Sequence, residues 1–199
     1  PGSRILPHRL TGLMASLFTL VLGGVRSGKS AFAEGLAGKD NRPVLFLATG
    51  LAVDEEMEER ILRHQQSRPA HWTTIEEPLD LAGSLTTGPL AGVEGPVLID
   101  SLDVWLANMM FEQKYSDTEE LENSVLWHLN GMLKAIDQAT AEFTLVSSEV
   151  GLSMVPMELM GRRFQDLLGM INQRVAAQAD LVYTVMAGIP VQIKGPVVN

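Results

Sequence analysis

The sequence predicts a single α/β domain on a mostly parallel sheet, and three observations carry that prediction. The apolar run 17–22 feeds directly into Gly23-Gly24-Val25-Arg26-Ser27-Gly28-Lys29-Ser30, and a helical stretch from Ala31 to Ala37 follows. Further short, continuously apolar runs lie at 44–48, 97–100, 143–147 and 181–186. Such runs are the mark of parallel strands covered on both faces. Between them stand longer segments with helical periodicity. A chain of 199 residues is long enough for one such domain with a sizeable core, and no interdomain linker or internal repeat interrupts it.

The strand, loop and helix at 17–37 form a cradle for phosphate. Glycines let the backbone turn so that successive N–H groups face phosphate oxygens, and the helix N-terminus adds a positive dipole. Lys29 is then placed to reach the β- and γ-phosphates, and the Ser30 hydroxyl to ligate Mg²⁺. The loop residues Gly23, Gly24, Val25, Arg26, Ser27, Gly28, Lys29 and Ser30, with Ala31 after them, are the first candidate nucleotide contacts.

The second strand, 44–48, ends in Thr49-Gly50-Leu51. Ligands of open α/β sheets gather beyond the carboxyl ends of strands, which makes Thr49, Gly50 and Leu51 pocket candidates, a plain strand-to-helix loop being the alternative. A helix is expected from Asp54, acidic at its start and basic at its end, which complements the macrodipole. Met57, Ile61 and His64 fall on one face of it. His64 is thereby aimed at protein or ligand, and by itself fits a satisfied structural histidine as well as a reactive one. Arg60 and Arg68 supply cations nearby.

Residues 72–76 read as a short strand, 79–85 as a helix and 86–95 as a turn-rich connection. The strand 97–100 ends in Asp100, the pattern of the metal-coordinating carboxylate that accompanies a phosphate loop. Helices are expected at 103–111 and 117–141. The second is amphipathic through Leu121, Val125, Leu129, Met132, Leu133 and Ile136. Trp105 and Met109-Met110 are expected in the core or at a subunit contact. A buried strand at 143–147, a long helix at 158–179 and a strand at 181–186 follow, and a short run at 191–193 pairs as an antiparallel edge.

Composition narrows the partners. A net charge of −9 argues against non-specific nucleic-acid or anionic-membrane binding, since both draw affinity from basic patches. Cysteine is absent, which removes disulfides, thiolate metal sites and cysteine nucleophiles and fits a cytoplasmic protein. Arg4, His8 and Arg9 before the apolar run imitate a signal peptide, but the run is the strand that positions Gly23. Residues 1–14 are expected to be a disordered leader or expression remnant with Met14 a natural start, and residues 15–199 one nucleotide-binding domain. No apolar run reaches the roughly 20 residues a spanning helix needs.

Taken together, these segments resemble the bifunctional adenosylcobinamide kinase / adenosylcobinamide-phosphate guanylyltransferase family of cobalamin biosynthesis. The likeness runs from about Phe18 to Lys194. It rests on the phosphate loop, on Arg60-Ile61 to His64 with Arg68-Pro69-Ala70-His71-Trp72, on Ser148-Glu149-Val150-Gly151 with Val155-Pro156, and on Arg162, Phe164, Asp166 and Asn172-Gln173-Arg174. The resemblance implies a RecA-like fold with helices on both faces of the sheet, and a homotrimer. It also implies two activities at one nucleotide site. The γ-phosphate of ATP or GTP passes to the aminopropanol hydroxyl of adenosylcobinamide, and GMP from GTP passes through a histidine to the new phosphate, giving adenosylcobinamide-GDP.

His64 matches the guanylylated histidine of that family, Gln65, Gln66, Ser67 and Arg68 the nucleotide-contacting run after it, and Glu76 an acidic position suited to guanine N1–H and N2–H. Mg²⁺ is the implied cofactor, held by Ser30 and Asp100. The chain departs from the pattern at Ser148, where many members have asparagine, at Ser153, where many have glycine, and at Ser101, where cysteine is frequent. A phosphate-loop kinase without nucleotidyl transfer, and a non-catalytic RecA-like nucleotide-binding oligomer, are the alternatives.

Overall fold

The fold was analysed in a computed structural model, in which residues 17–51, 68–112 and 117–196 are described. Among them seven strands form one sheet: β1 (Phe18–Gly23), β2 (Leu45–Ala48), β3 (Thr73–Glu76), β4 (Val97–Asp100), β5 (Phe143–Ser148), β6 (Leu181–Met186) and β7 (Ile189–Lys194). Their spatial order is β3-β2-β4-β5-β1-β6-β7. Every pairing is parallel except β6 with β7. The five α-helices of the described residues are α1 (Lys29–Ala37), α2 (Leu81–Thr86), α3 (Leu102–Phe111), α4 (Thr118–Gln138) and α5 (Leu159–Gln178).

Side chains of successive strand residues point to opposite faces, and the strands divide accordingly between two apolar layers. Phe18, Leu20 and Leu22 of β1, Val97 and Ile99 of β4, and Phe143 and Leu145 of β5 join the larger core, which α2, α3, α4 and α5 cover with Leu81, Trp105, Leu129 and Leu168. Val21, Leu98, Val146 and Val185 face the other way and meet Ala33 and Ala37 of α1. Burial on both faces is what makes the strands read as continuous apolar runs. The fold is thus the expected α/β sandwich with helices on both faces of a mostly parallel sheet.

Local chemistry sets where the helices begin. The Asp117 carboxylate accepts from Glu120 N at 2.9 Å, and the Asp80 carboxylate from Gly83 N at 2.9 Å. Each satisfies an N–H that the first turn leaves without an intrahelical partner. Sequence periodicity placed the start of α4 within one residue but ran it to 141; Ala139 adopts an extended conformation instead, and the chain turns into β5. The C-terminal strand is longer than the 191–193 expected, because the reversal needs only Ala187 and Gly188. Both have positive φ (51° and 81°), the geometry of a two-residue hairpin turn whose twist matches that of its strands. Trp105 and Met109 lie in the core, 1% and 2% exposed, and the indole N–H of Trp105 donates to Leu79 O at 2.9 Å. No helix among the described residues is long and apolar enough to cross a membrane.

Candidate active site

The phosphate loop begins where β1 leaves the middle of the sheet. Gly23 is still paired on both sides, to Ser148 and to Val185. A Cβ at Gly23 would stand 2.8 Å from Val185 O and 2.4 Å from Ser27 Oγ. The serine could turn away, but the carbonyl belongs to the sheet. Gly23→Ala is therefore expected to push β1 off β6, at a cost of about 1–3 kcal/mol, and to lower the thermal midpoint by roughly 2–10 °C. Loss of nucleotide binding should accompany it, and calorimetric titration with GTP checks this directly.

Beyond Gly23 the chain closes on itself. Ser27 N donates to Gly24 O at 3.2 Å, and Lys29 N to Ser27 Oγ at 3.3 Å. Arg26 holds a left-handed backbone, with φ 55°, a conformation uncommon outside glycine and enriched at functional turns. Gly28 has φ 92° and precedes the first turn of α1. Val25 and Arg26 are exposed, and Lys29, Ser30 and Gly24 partly so, while Ser27 is buried. The Lys29 ammonium donates to Gly24 O at 3.4 Å, a long bond that a phosphate oxygen readily replaces.

The C-terminal hairpin braces this loop. Gly188 N donates to Ser27 O at 2.8 Å, and a Cβ on Gly28 would lie 3.3 Å from Gly188 Cα. The sequence implied a reversal between the last two strands but not this role, since the contact depends on β6 lying next to β1.

Asp100 ends β4, two strands away from β1 with β5 between them. Thr49 continues β2, but its hydroxyl is taken inward. It donates to Ser101 O at 2.8 Å and accepts from Ser101 N at 2.9 Å, and Thr49 is fully buried. This clamp fixes the exit of β4 and so the position of Asp100. Asn108, on α3, donates to Thr49 O at 2.7 Å and Pro78 O at 3.1 Å, tying the ends of β2 and β3 together. Gly50 and Leu51 follow at the carboxyl edge, Leu51 exposed.

The Arg68 guanidinium lies over the Phe46 ring, 3.3 Å from its centroid, and donates to Thr74 Oγ1 at 3.0 Å. Desolvation pulls its pKa below the ordinary arginine value, opposed by the nearby charges of Glu34 and Asp100. Arg68 is thereby linked electrostatically to both α1 and the carboxylate of β4. Glu76 sits exposed at the end of β3, at the far edge of the sheet. His64, Gln65, Gln66 and Ser67 lie outside the described residues, as does the helix expected from Asp54.

A second polar cluster fills the carboxyl end of β5. Ser148 Oγ donates to Asp103 Oδ2 at 2.8 Å. Asn172 Nδ2 donates to Ser148 O at 3.0 Å, and Ser147 Oγ donates to Asn172 Oδ1 at 2.7 Å. Asp103 was read only as the start of a helix, because nothing in its neighbourhood reveals that α3 swings it back toward β5.

A glycine-rich loop at the carboxyl edge of a parallel sheet, with a basic residue at the start of its helix and a carboxylate two strands away, is the architecture of the phosphate-loop class of α/β proteins. For Mg²⁺ the residues fit: this ion commonly takes one or two protein oxygens and completes its shell with phosphate and water, as the Ser30 hydroxyl and Asp100 carboxylate allow. The comparison of sequences narrows the class. Residues 19–193 match the profile of the cobinamide kinase / cobinamide phosphate guanyltransferase family, and the chain belongs to it. The chain is 38% identical over 176 residues to the bifunctional adenosylcobalamin biosynthesis protein CobP of Pseudomonas aeruginosa, covering 88% of this chain and 96% of that relative. The bifunctional adenosylcobalamin biosynthesis protein CobU of Salmonella typhimurium is 37% identical over 186 residues, 89% of this chain and all of the relative. The CobU protein of Escherichia coli is 35% identical over the same length, with the same coverage.

Proposed function

We propose that this enzyme phosphorylates adenosylcobinamide with ATP or GTP, and then transfers GMP from GTP to the new phosphate through a guanylyl-His64 intermediate, yielding adenosylcobinamide-GDP. The observation that carries the reading is the braced phosphate loop in a chain whose family is described by both activities. In the first step the loop N–H groups and Lys29 hold the β- and γ-phosphates while the acceptor hydroxyl attacks the γ-phosphorus. In the second, the neutral imidazole of His64 attacks the α-phosphorus and pyrophosphate leaves. Two displacements then each proceed at one phosphorus.

Ser30 and Asp100 would hold Mg²⁺, which when bound supplies charge neutralisation on the bridging and leaving oxygens. Thr49 keeps Asp100 in place through Ser101. Arg68, with Gln65, Gln66 and Ser67, contacts the nucleotide beside His64. Its planar guanidinium suits phosphate oxygens, and its stacking on Phe46 helps to orient it. Glu76 accepts from guanine N1–H and N2–H, favouring GTP for the transfer step. The working form in this reading is a cytoplasmic homotrimer.

The test is to incubate the protein with α-³²P-GTP and Mg²⁺, denature it, and characterise the bound label. Acid-labile, base-stable label is the expected phosphoramidate signature. Its absence, with phosphoryl transfer to adenosylcobinamide intact, would reduce the protein to a phosphate-loop kinase.

A further inference from the structure

Asp103 is a carboxylate whose two oxygens are treated differently. Its Oδ2 accepts from Ser148 Oγ at 2.8 Å, while its Oδ1 is buried and has no hydrogen-bond partner among the described residues. A buried carboxylate oxygen left unmatched costs stability, and in native proteins such atoms concentrate where a ligand or catalytic step uses them. The position of this one is well defined. Ser148 is the register partner of Gly23, the root of the phosphate loop. The neighbouring strand on its other side is β4, whose Asp100 pairs with Val146. Asp103 follows Asp100 by three residues, in the first turn of α3. The carboxylate is thus tied to the end of the strand that lies between the one leading into the phosphate loop and the one ending in Asp100.

Ser148 has little freedom to release it. Both Ser148 and Asn172 are 6% exposed, and Ser147 is fully buried. The bonds from Asn172 to Ser148 O and from Ser147 to Asn172 lock the end of β5 against α5. The Ser148 hydroxyl is thereby kept facing Asp103, and its bond to Oδ2 restrains the carboxylate.

An anion beside a triphosphate site is unfavourable unless something brings it a proton or a positive charge. The acceptor alcohol of the kinase step is such a group. We propose that Asp103 receives the hydroxyl proton of the phosphoryl acceptor and that Ser148 is the residue that positions it. This rests on the two-activity reading above. In the step, the alcohol oxygen forms a bond to the γ-phosphorus as the bond from that phosphorus to the β,γ-bridging oxygen breaks. The electron pair leaves on the nucleoside diphosphate, and the proton passes to Asp103 Oδ1 and later to solvent. A neutral imidazole attacks the α-phosphorus through its unprotonated nitrogen, and the proton on its other nitrogen passes to solvent after the bond has formed, so guanylylation of the protein does not call on Asp103.

The experiment is a split of the two half-reactions in Asp103→Asn and Ser148→Ala, each measured against the unaltered protein. Phosphoryl transfer is followed with γ-³²P-GTP and adenosylcobinamide, and self-guanylylation with α-³²P-GTP alone. Asp103→Asn is expected to lose phosphoryl transfer by about 10²-fold or more while its self-guanylylation rate stays within about threefold. Ser148→Ala should show the same split to a smaller degree, with Ser148→Thr restoring transfer by returning the hydroxyl. Parallel loss of both activities would overturn the proposal in favour of a structural or metal-holding role, and so would unchanged transfer in Asp103→Asn. Failure of the unaltered protein to phosphorylate adenosylcobinamide would instead overturn the functional reading on which the proposal stands.

Discussion

Lys29→Met is expected to abolish both activities together, each by on the order of 10²–10³-fold, with little change in stability. The two half-reactions take place at different phosphorus atoms, but in the proposed scheme one cradle holds the triphosphate for both. Removing the ammonium leaves the charge that builds on the phosphate oxygens without its protein counterion. The fold should tolerate the change, because the side chain is partly exposed and its one described hydrogen bond, to Gly24 O, spans 3.4 Å. Rates of γ-³²P transfer and of self-guanylylation, with a thermal melt as control, test this. Loss of one activity alone would mean that the triphosphate is held differently in the two steps.

His64→Ala should separate what Lys29→Met joins. Without the imidazole no phosphoramidate can form, and covalent label from α-³²P-GTP is expected to fall by roughly 10³-fold or more. Phosphoryl transfer to adenosylcobinamide should continue within a few-fold of the unaltered rate, so that adenosylcobinamide phosphate accumulates and adenosylcobinamide-GDP does not. Label persisting on the variant would place the nucleophile elsewhere. Asp103→Asn and His64→Ala then form a complementary pair, each sparing the half-reaction the other removes.

How far the sequence reveals this molecule depends on the range of the interaction in question. The strands stand where apolar runs stood, since burial on both faces writes itself directly into composition. The loop between β1 and α1 was visible because its glycines, Lys29 and Ser30 are contiguous, within eight residues of one another. The place of Asp100 at the end of β4 was legible from the apolar run before it. The polar ties around it were not, because each joins residues far apart in the chain. Thr49 reaches Ser101, 52 positions away, and Ser148 reaches Asp103 across 45. Such pairs follow from strand order, and periodicity does not give strand order. Thr49 shows the consequence: its place beyond a strand end did not reveal that its hydroxyl holds the exit of β4. The helix boundaries drifted for a smaller reason, as capping and extended terminal residues decide them.

The bond from Gly188 N to Ser27 O also bears on how the protein is made. A cradle begun by residue 23 is braced by a residue 165 positions later, after β5, α5 and β6 have all been laid down. Contacts so distant in sequence form late, because the intervening chain must be ordered first. A ribosome must therefore have delivered residue 188 before the loop acquires its final shape. A nascent chain that has not yet delivered the β6–β7 hairpin would carry the full phosphate-loop motif without the brace that sets it.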